Sequence, residues 1–339
     1  MSKRVSLKDI AKEVGVSTAL VSYVLNNLKE GRIRKEIAER IREVAKRLNY
    51  RPNQVARSLK TRRTHTIGLI VADISNPFSS SLARIVEDEA AKVNYTVIFG
   101  SSDETAAKSE KLIDTLLNRQ VDGLIIAPPV QAEAQIEELM RQETSFVLLD
   151  RYFPGIKTNY VALDNHLAAN LGTKHLIEAG CRKIGLIAYK TGLFHLKERK
   201  RGYMTALNDS GVGINKSLVK EVSIFNDPHE IVKCLKELMD VHRPDGLLFA
   251  SNMIAAHGLK YINTLPITVP DDLAIVSFDA TEALDLFYSP ITYIRQPLQE
   301  MGRKATEILL ESIASKNKIT QVMMEPELVV RASSQKRVQ

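Results

Sequence analysis

The sequence predicts an all-α helix-turn-helix head followed by a larger α/β body of two lobes built on parallel sheets. Three observations carry that expectation. Residues 1–64 hold 17 Lys/Arg against 6 Asp/Glu, a net charge of +11, whereas the remainder holds 30 against 34, or −4. Apolar residues in the head recur at helical spacing. From Thr66 onward the pattern changes to seven short apolar runs separated by helix-length segments. That alternation belongs to parallel sheets covered by helices on both faces.

In the head, "SLKDIAKEV" begins with Ser6 as N-cap and Asp9 three residues on, the capping-box arrangement. Leu7, Ile10, Ala11 and Val14 follow at helical spacing. Gly15 permits a tight turn, and Ser17 can cap the next helix. In "VSTALVSYVLN", Thr18, Ala19, Ser22, Tyr23 and Asn26 share one arc, with Leu20, Val21, Val24 and Leu25 on the other. A third helix is expected from about Ile33 to Leu48, with Ile33, Ile37, Ile41, Val44 and Leu48 on one face. Pro52 then breaks the chain, and "NQVARSL" has the length of one short helix.

The body runs are "TIGLIVA", "YTVIFG", "DGLIIA", "SFVLLD", "KIGLIA", "DGLLFA" and "LAIVSF". They read as buried strands, too many for one small sheet, so two similar lobes are expected. The division is residues 1–50 for the head, 51–64 for a hinge helix and linker, and 65–339 for the body.

Composition narrows the function. With 44% hydrophobic and 26% charged residues, the 339-residue chain is an ordinary globular protein with room for several domains. Cys181 and Cys234 have no metal-ligand spacing and suit a reducing compartment. No apolar run has the length of a membrane span, and the N-terminus lacks an apolar signal core. A cytoplasmic protein is expected. Neither a P-loop, nor a dinucleotide fingerprint, nor shared metal spacing among His166, His175, His195 and His257 is present, so no cofactor and no catalysis are expected. The basic head on an acidic body points to a polyanion partner.

Ligands of such sheets bind beyond the carboxyl ends of the strands, which draws attention to the polar residues there. These are Asn76 and Phe78 in "ISNPF", Asp150 and Arg151 in "LLDRYF", Arg199 in "ERKRGY", Phe225 in "SIFNDP", Asn252 in "FASNM", Asp279 in "SFDAT" and Gln296 in "YIRQP". Singly, each is a common cap, loop or surface residue. Together they suit a monosaccharide. Aromatic rings cover its C–H faces, carboxylates accept from hydroxyls, Arg donates, and Asn and Gln do both. Asp164 reads as a helix cap, and the paired carboxylates of "DDL" at 271–273 as part of a turn.

"VSLKDIAKEVGVSTALVSYVLNN" and "LNYRPNQVARSLKTRRTHTIGLIV" resemble the lactose-repressor (LacI) family of bacterial transcription regulators, and the similarity extends to the closing "PELVVRASS". The resemblance implies a homodimer that binds operator DNA through the helix from Ser17. Thr18, Ala19 and Tyr23 would face bases, Ser22 would reach phosphate, and Asn26 shares that DNA-binding face. It further implies a hinge helix carrying Ala56, with Leu59 as a minor-groove wedge. The body would be a two-lobed, periplasmic-binding-protein-like (type I) clamp for a small carbohydrate. Within the family, a phosphoprotein or purine co-ligand is the alternative signal. A transport protein would lack the basic head, and an enzyme would need a nucleophile with its base. Three positions depart from the family pattern. Tyr23 stands where Arg is common, Leu20 where a small hydroxyl residue is frequent, and Ser79 where a second aromatic often follows Phe78.

Overall fold

The computed structural model describes residues 5–26, 32–50, 63–225, 227–315 and 318–335. Contacts divide the chain into two units, Met1–Thr64 and His65–Gln339.

The first unit contains helices α1 (Leu7–Val14), α2 (Thr18–Leu25) and α3 (Lys35–Arg47). Asp9 closes the start of α1, accepting from the Ser6 N–H at 2.8 Å and the Ser6 hydroxyl at 2.7 Å. Gly15 adopts φ 76° and ends the helix. A side chain would resist that left-handed backbone. The Ser17 hydroxyl oxygen then caps α2 by accepting from the Leu20 N–H at 3.2 Å. Ile10, Ala11, Val21, Val24, Ile41, Val44 and Ala45 make the shared core. The segment carrying Ala56 and Leu59 lies outside the described residues.

The second unit is two six-stranded sheets. One lobe orders its strands β11-β5-β4-β3-β1-β2, where β1 is Thr66–Val71, β2 Thr96–Ser101, β3 Gly123–Ile126, β4 Phe146–Leu149, β5 Tyr160–Leu163 and β11 Gln321–Met324. The other is β12-β10-β9-β8-β6-β7, with β6 Ile184–Tyr189, β7 Val219–Val222, β8 Gly246–Phe249, β9 Ala274–Phe278, β10 Thr292–Arg295 and β12 Glu327–Val329. Every pairing is parallel except β10 with β12. The chain passes between lobes after β5, after β10 and after β11. The helix Leu298–Ala314 returns to the first lobe, where Met301, Ala305, Ile308 and Leu309 enter its core.

The seven apolar runs form β1, β2, β3, β4, β6, β8 and β9. One differs from its expectation of burial. On β2, Phe99 is 60% exposed, because this edge strand pairs only with β1. The remaining strands are short, and β7 (VKEV) and β12 are partly polar edges, so their composition gave little signal. Asp164 caps the helix Asn165–Glu178 by accepting from the Leu167 N–H at 2.9 Å. In "DDL", Asp272 accepts from both the N–H and the hydroxyl of Thr268 at 2.7 Å, closing a turn.

Candidate functional site

The two lobes face each other across a cleft of about 560 Å³, counting its open mouth. It lies at the carboxyl ends of the strands, where crossover topology leaves room for a ligand. The two sheets place equivalent residues there. Asp150 follows β4 and Asp279 follows β9, each next to a sheet's centre. Both have left-handed backbones, φ 70° and 66°, uncommon for a non-glycine residue. Their N–H groups stay in the ladders, donating to Val161 O and Ile294 O at 2.8 and 2.9 Å.

Arg199 comes from the helix Phe194–Asp209, which packs tightly on Asn165–Glu178. A Cβ at Gly202 would lie 2.1 Å from the His166 carbonyl oxygen, so only glycine allows this approach. The Arg199 guanidinium is buried. Its Nε donates to Asn165 Oδ1 and its Nη1 to Ala250 O, both at 2.7 Å, and it lies 3.9 Å over the Phe278 ring. Across the cleft, Arg151 meets Glu104 in a two-pronged ion pair at 2.7 and 2.6 Å. Gln296 Nε2 donates to Asp279 Oδ1 at 2.6 Å. Asn252 Nδ2 donates to Asn76 Oδ1 at 2.9 Å, joining the two lobes directly.

Asp150 Oδ1 and Gln296 Oε1 are buried acceptors with no hydrogen-bond partner among the described residues. Unmet buried polar atoms are costly, and here both belong to residues that line the cleft. Burial pushes the Asp150 carboxyl up to about 6, against the opposing pull of Arg151 and Arg199. Burial also raises Asp279, again opposed by Arg199. His195 is held well below the usual imidazole range by burial and by both arginines, so it is neutral near pH 7.

Of the nine cleft candidates, the structure brings together Asn76, Phe78, Asp150, Arg151, Arg199, Asn252, Asp279 and Gln296. Phe225 stands apart. It is 74% exposed in a turn after β7, and its neighbour Ile224 lines the cleft instead. Sequence reasoning missed Glu104 and His195. Glu104 lies several residues past the end of β2, and His195 sits on a helix, so neither falls at a strand end. Below Phe78, Ser79 borders a second, more apolar space of about 460 Å³ that shares Asp150 and Arg151 with the first.

On the head, Thr18, Ala19 and Asn26 are exposed, and Ser22 and Tyr23 are half-buried. Asn26 Nδ2 donates back to Ser22 O at 2.7 Å, which uses part of its hydrogen-bonding capacity within the helix. Leu20 packs against the head core. An apolar residue at that position therefore adds packing where a hydroxyl would add a polar contact.

Residues 6–53 match the family described as "Bacterial regulatory proteins, lacI family", and residues 173–334 match the periplasmic binding protein-like domain. The ribose operon repressor of Halalkalibacterium halodurans is 34% identical over 314 residues, covering 92% of this chain and 91% of that protein. The ribose operon repressor of Haemophilus influenzae is 32% identical, covering 97% and 98%. A solved complex of the transcriptional regulator CelR with cellobiose is similar with a TM-score of 0.73 and 25% identity, over 97% of this chain and 100% of that one. No helix among the described residues is long and apolar enough to cross a membrane.

Proposed function

The chain belongs to the lacI family of bacterial regulatory proteins, and on that premise we propose that it is a dimeric operator-binding repressor controlled by a small carbohydrate held between its lobes. Its class, a DNA-binding transcriptional regulator with a small-molecule effector, follows from the family. The carbohydrate rests chiefly on one observation. Buried carboxylates, guanidiniums and amides converge on the cleft, and two of their acceptors, Asp150 Oδ1 and Gln296 Oε1, have no hydrogen-bond partner among the described residues. Hydroxyl groups donate to such acceptors and receive from Arg and Asn, so a polyol satisfies the whole set. The ribose operon repressors among its relatives make a pentose the first candidate.

In this reading Thr18, Ala19, Ser22, Tyr23 and Asn26 form the DNA face, with Ala56 and Leu59 in the hinge. The cleft binds without catalysis, and the protein works in the cytoplasm with its operator. Lobe closure sets how the two bodies of the dimer, and hence their hinges, pair. Coupling is reciprocal: an effector that weakens operator binding is itself bound more weakly in the operator complex.

A thermal-shift screen of the full chain against a monosaccharide panel tests the reading. A specific ligand at 100 times its dissociation constant stabilises by about 2.7 kcal/mol. A panel in which no sugar shifts the transition of the body would overturn it.

Binding should also depend on pH in one direction. A hydroxyl donating to the Asp150 carboxylate favours the deprotonated form. Affinity therefore rises with pH through about 6 and levels off above it. Calorimetry at pH 5 and pH 7 should differ by about tenfold, the ratio of carboxylate populations around such a group. Asp150→Asn should flatten this pH profile, and a flat profile in the wild type would remove Asp150 from ligand contact.

A further inference from the structure

Resting on the carbohydrate reading, we infer that the cleft selects an uncharged polyol over a phosphorylated sugar, and that Glu104 is the residue enforcing the choice. The charged side chains on the lining are Asp73, Glu104, Asp150 and Asp279 against Arg151 and Arg199. An incoming phosphate would meet more carboxylates than guanidiniums. Both guanidiniums already hold protein partners, although Arg151 Nε, 3.5 Å from Asp150 Oδ2, makes no hydrogen bond among the described residues. Arg151 would be the natural phosphate ligand, since its two terminal nitrogens form the fork that binds two anionic oxygens. Glu104 occupies that fork with both of its oxygens, at 2.7 and 2.6 Å. Arg199 spends Nε on Asn165 and one N–H of Nη1 on Ala250, so its Nε–Nη1 edge is already turned to the protein and its remaining N–H groups suit hydroxyl oxygens.

At two helix starts on the cleft, the other common kind of anion receptor, one N–H each is already taken by a side chain. Asn76 Oδ1 takes the Phe78 N–H at 3.0 Å, and Asn252 Oδ1 takes the Met253 N–H at 2.8 Å. Burial raises Asp150 in spite of both arginines and Asp279 in spite of Arg199, so burial outweighs the positive charge beside each carboxylate.

Glu104 is held in place by its backbone. It and Asp103 have consecutive left-handed conformations, φ 56° and 49°. Its N–H donates to Ala72 O at 3.0 Å, just past the end of β1. Two adjacent non-glycine residues in this region mark a constrained loop. The constraint aims one carboxylate at one guanidinium.

The test uses the full chain and three probes, D-ribose, D-ribose 5-phosphate and inorganic phosphate, titrated into the wild type and Glu104→Gln by calorimetry. The wild type should bind the free sugar at least about 100-fold more tightly than its phosphate ester, a difference of two decades in dissociation constant. It should show no saturable binding of inorganic phosphate. Glu104→Gln should narrow the sugar-to-ester ratio by about tenfold or more, because Arg151 then presents its fork to an anion. Equal binding of sugar and ester by the wild type would overturn the inference, as would a ratio unchanged by Glu104→Gln. The wild-type comparison needs no variant to fold. If no neutral sugar in the panel binds, the carbohydrate reading fails, and the inorganic phosphate arm still decides this point. Saturable phosphate binding to the wild type overturns anion exclusion, and binding only to Glu104→Gln supports it.

Discussion

Arg199→Ala is expected to abolish the effector response while leaving operator binding in place. Arg199 is 4% exposed and ties three elements together: Asn165 at the lobe crossover, Ala250 at the end of β8, and the Phe278 ring at the end of β9. It is also the cation nearest in influence to Asp279 and one of two that oppose the burial of Asp150. Truncating one partner of a buried charged cluster costs about 3–5 kcal/mol. Here that cost divides between effector affinity and stability of the body. Effector affinity should fall by at least about 100-fold, and the thermal transition of the body should drop. Residues 1–64 form their own contact unit with a separate core, so their reading of DNA should persist. Asp279→Asn, which keeps the shape and removes the charge, should reproduce the loss of response with a smaller thermal penalty. Operator binding that still responds fully to sugar in both variants would take these residues out of the effector site.

Tyr23→Arg should change the preferred operator half-site. Tyr23 is half-buried on α2, beside exposed Thr18 and Ala19. A tyrosine offers one hydroxyl and an apolar ring. An arginine at the same place can form two hydrogen bonds to guanine O6 and N7, worth about 1–3 kcal/mol of discrimination against another base. Selection from random duplex DNA with the two proteins should yield sites that differ at one position per half-site, with guanine enriched for the arginine variant. Identical selected sites would show that residue 23 does not read a base.

The head was legible because its signals are local. Ser6 with Asp9, Gly15 and Ser17 each act within four residues, and the structure shows each making the bond or turn that its chemistry suggests. The parallel body was legible for a related reason. Strands buried on both faces need continuous apolar runs, so the central strands announce themselves. The edges do not: β7 and β12 contain charged residues, and the exposed Phe99 on β2 looks the same in sequence as a buried one.

The candidate site divides along the same line. Asp150 and Asp279 could be found because parallel strands present their following residues to one end of the sheet. Phe225 obeyed that rule in sequence and still turned toward solvent, since the turn after β7 decides which of two adjacent apolar residues faces inward. Glu104 could not be found, because its role depends on meeting Arg151, 47 residues further along the chain. The sequence by itself determined the helical head, the parallel α/β body and, through its resemblance to the lacI family, the class of protein, because those follow from local pattern, charge and motif. Only the tertiary structure decided which charges are already paired. Pairing depends on side chains brought together from distant strands and helices, and in this cleft it leaves Arg151 bound to Glu104 and two buried acceptors without partners among the described residues.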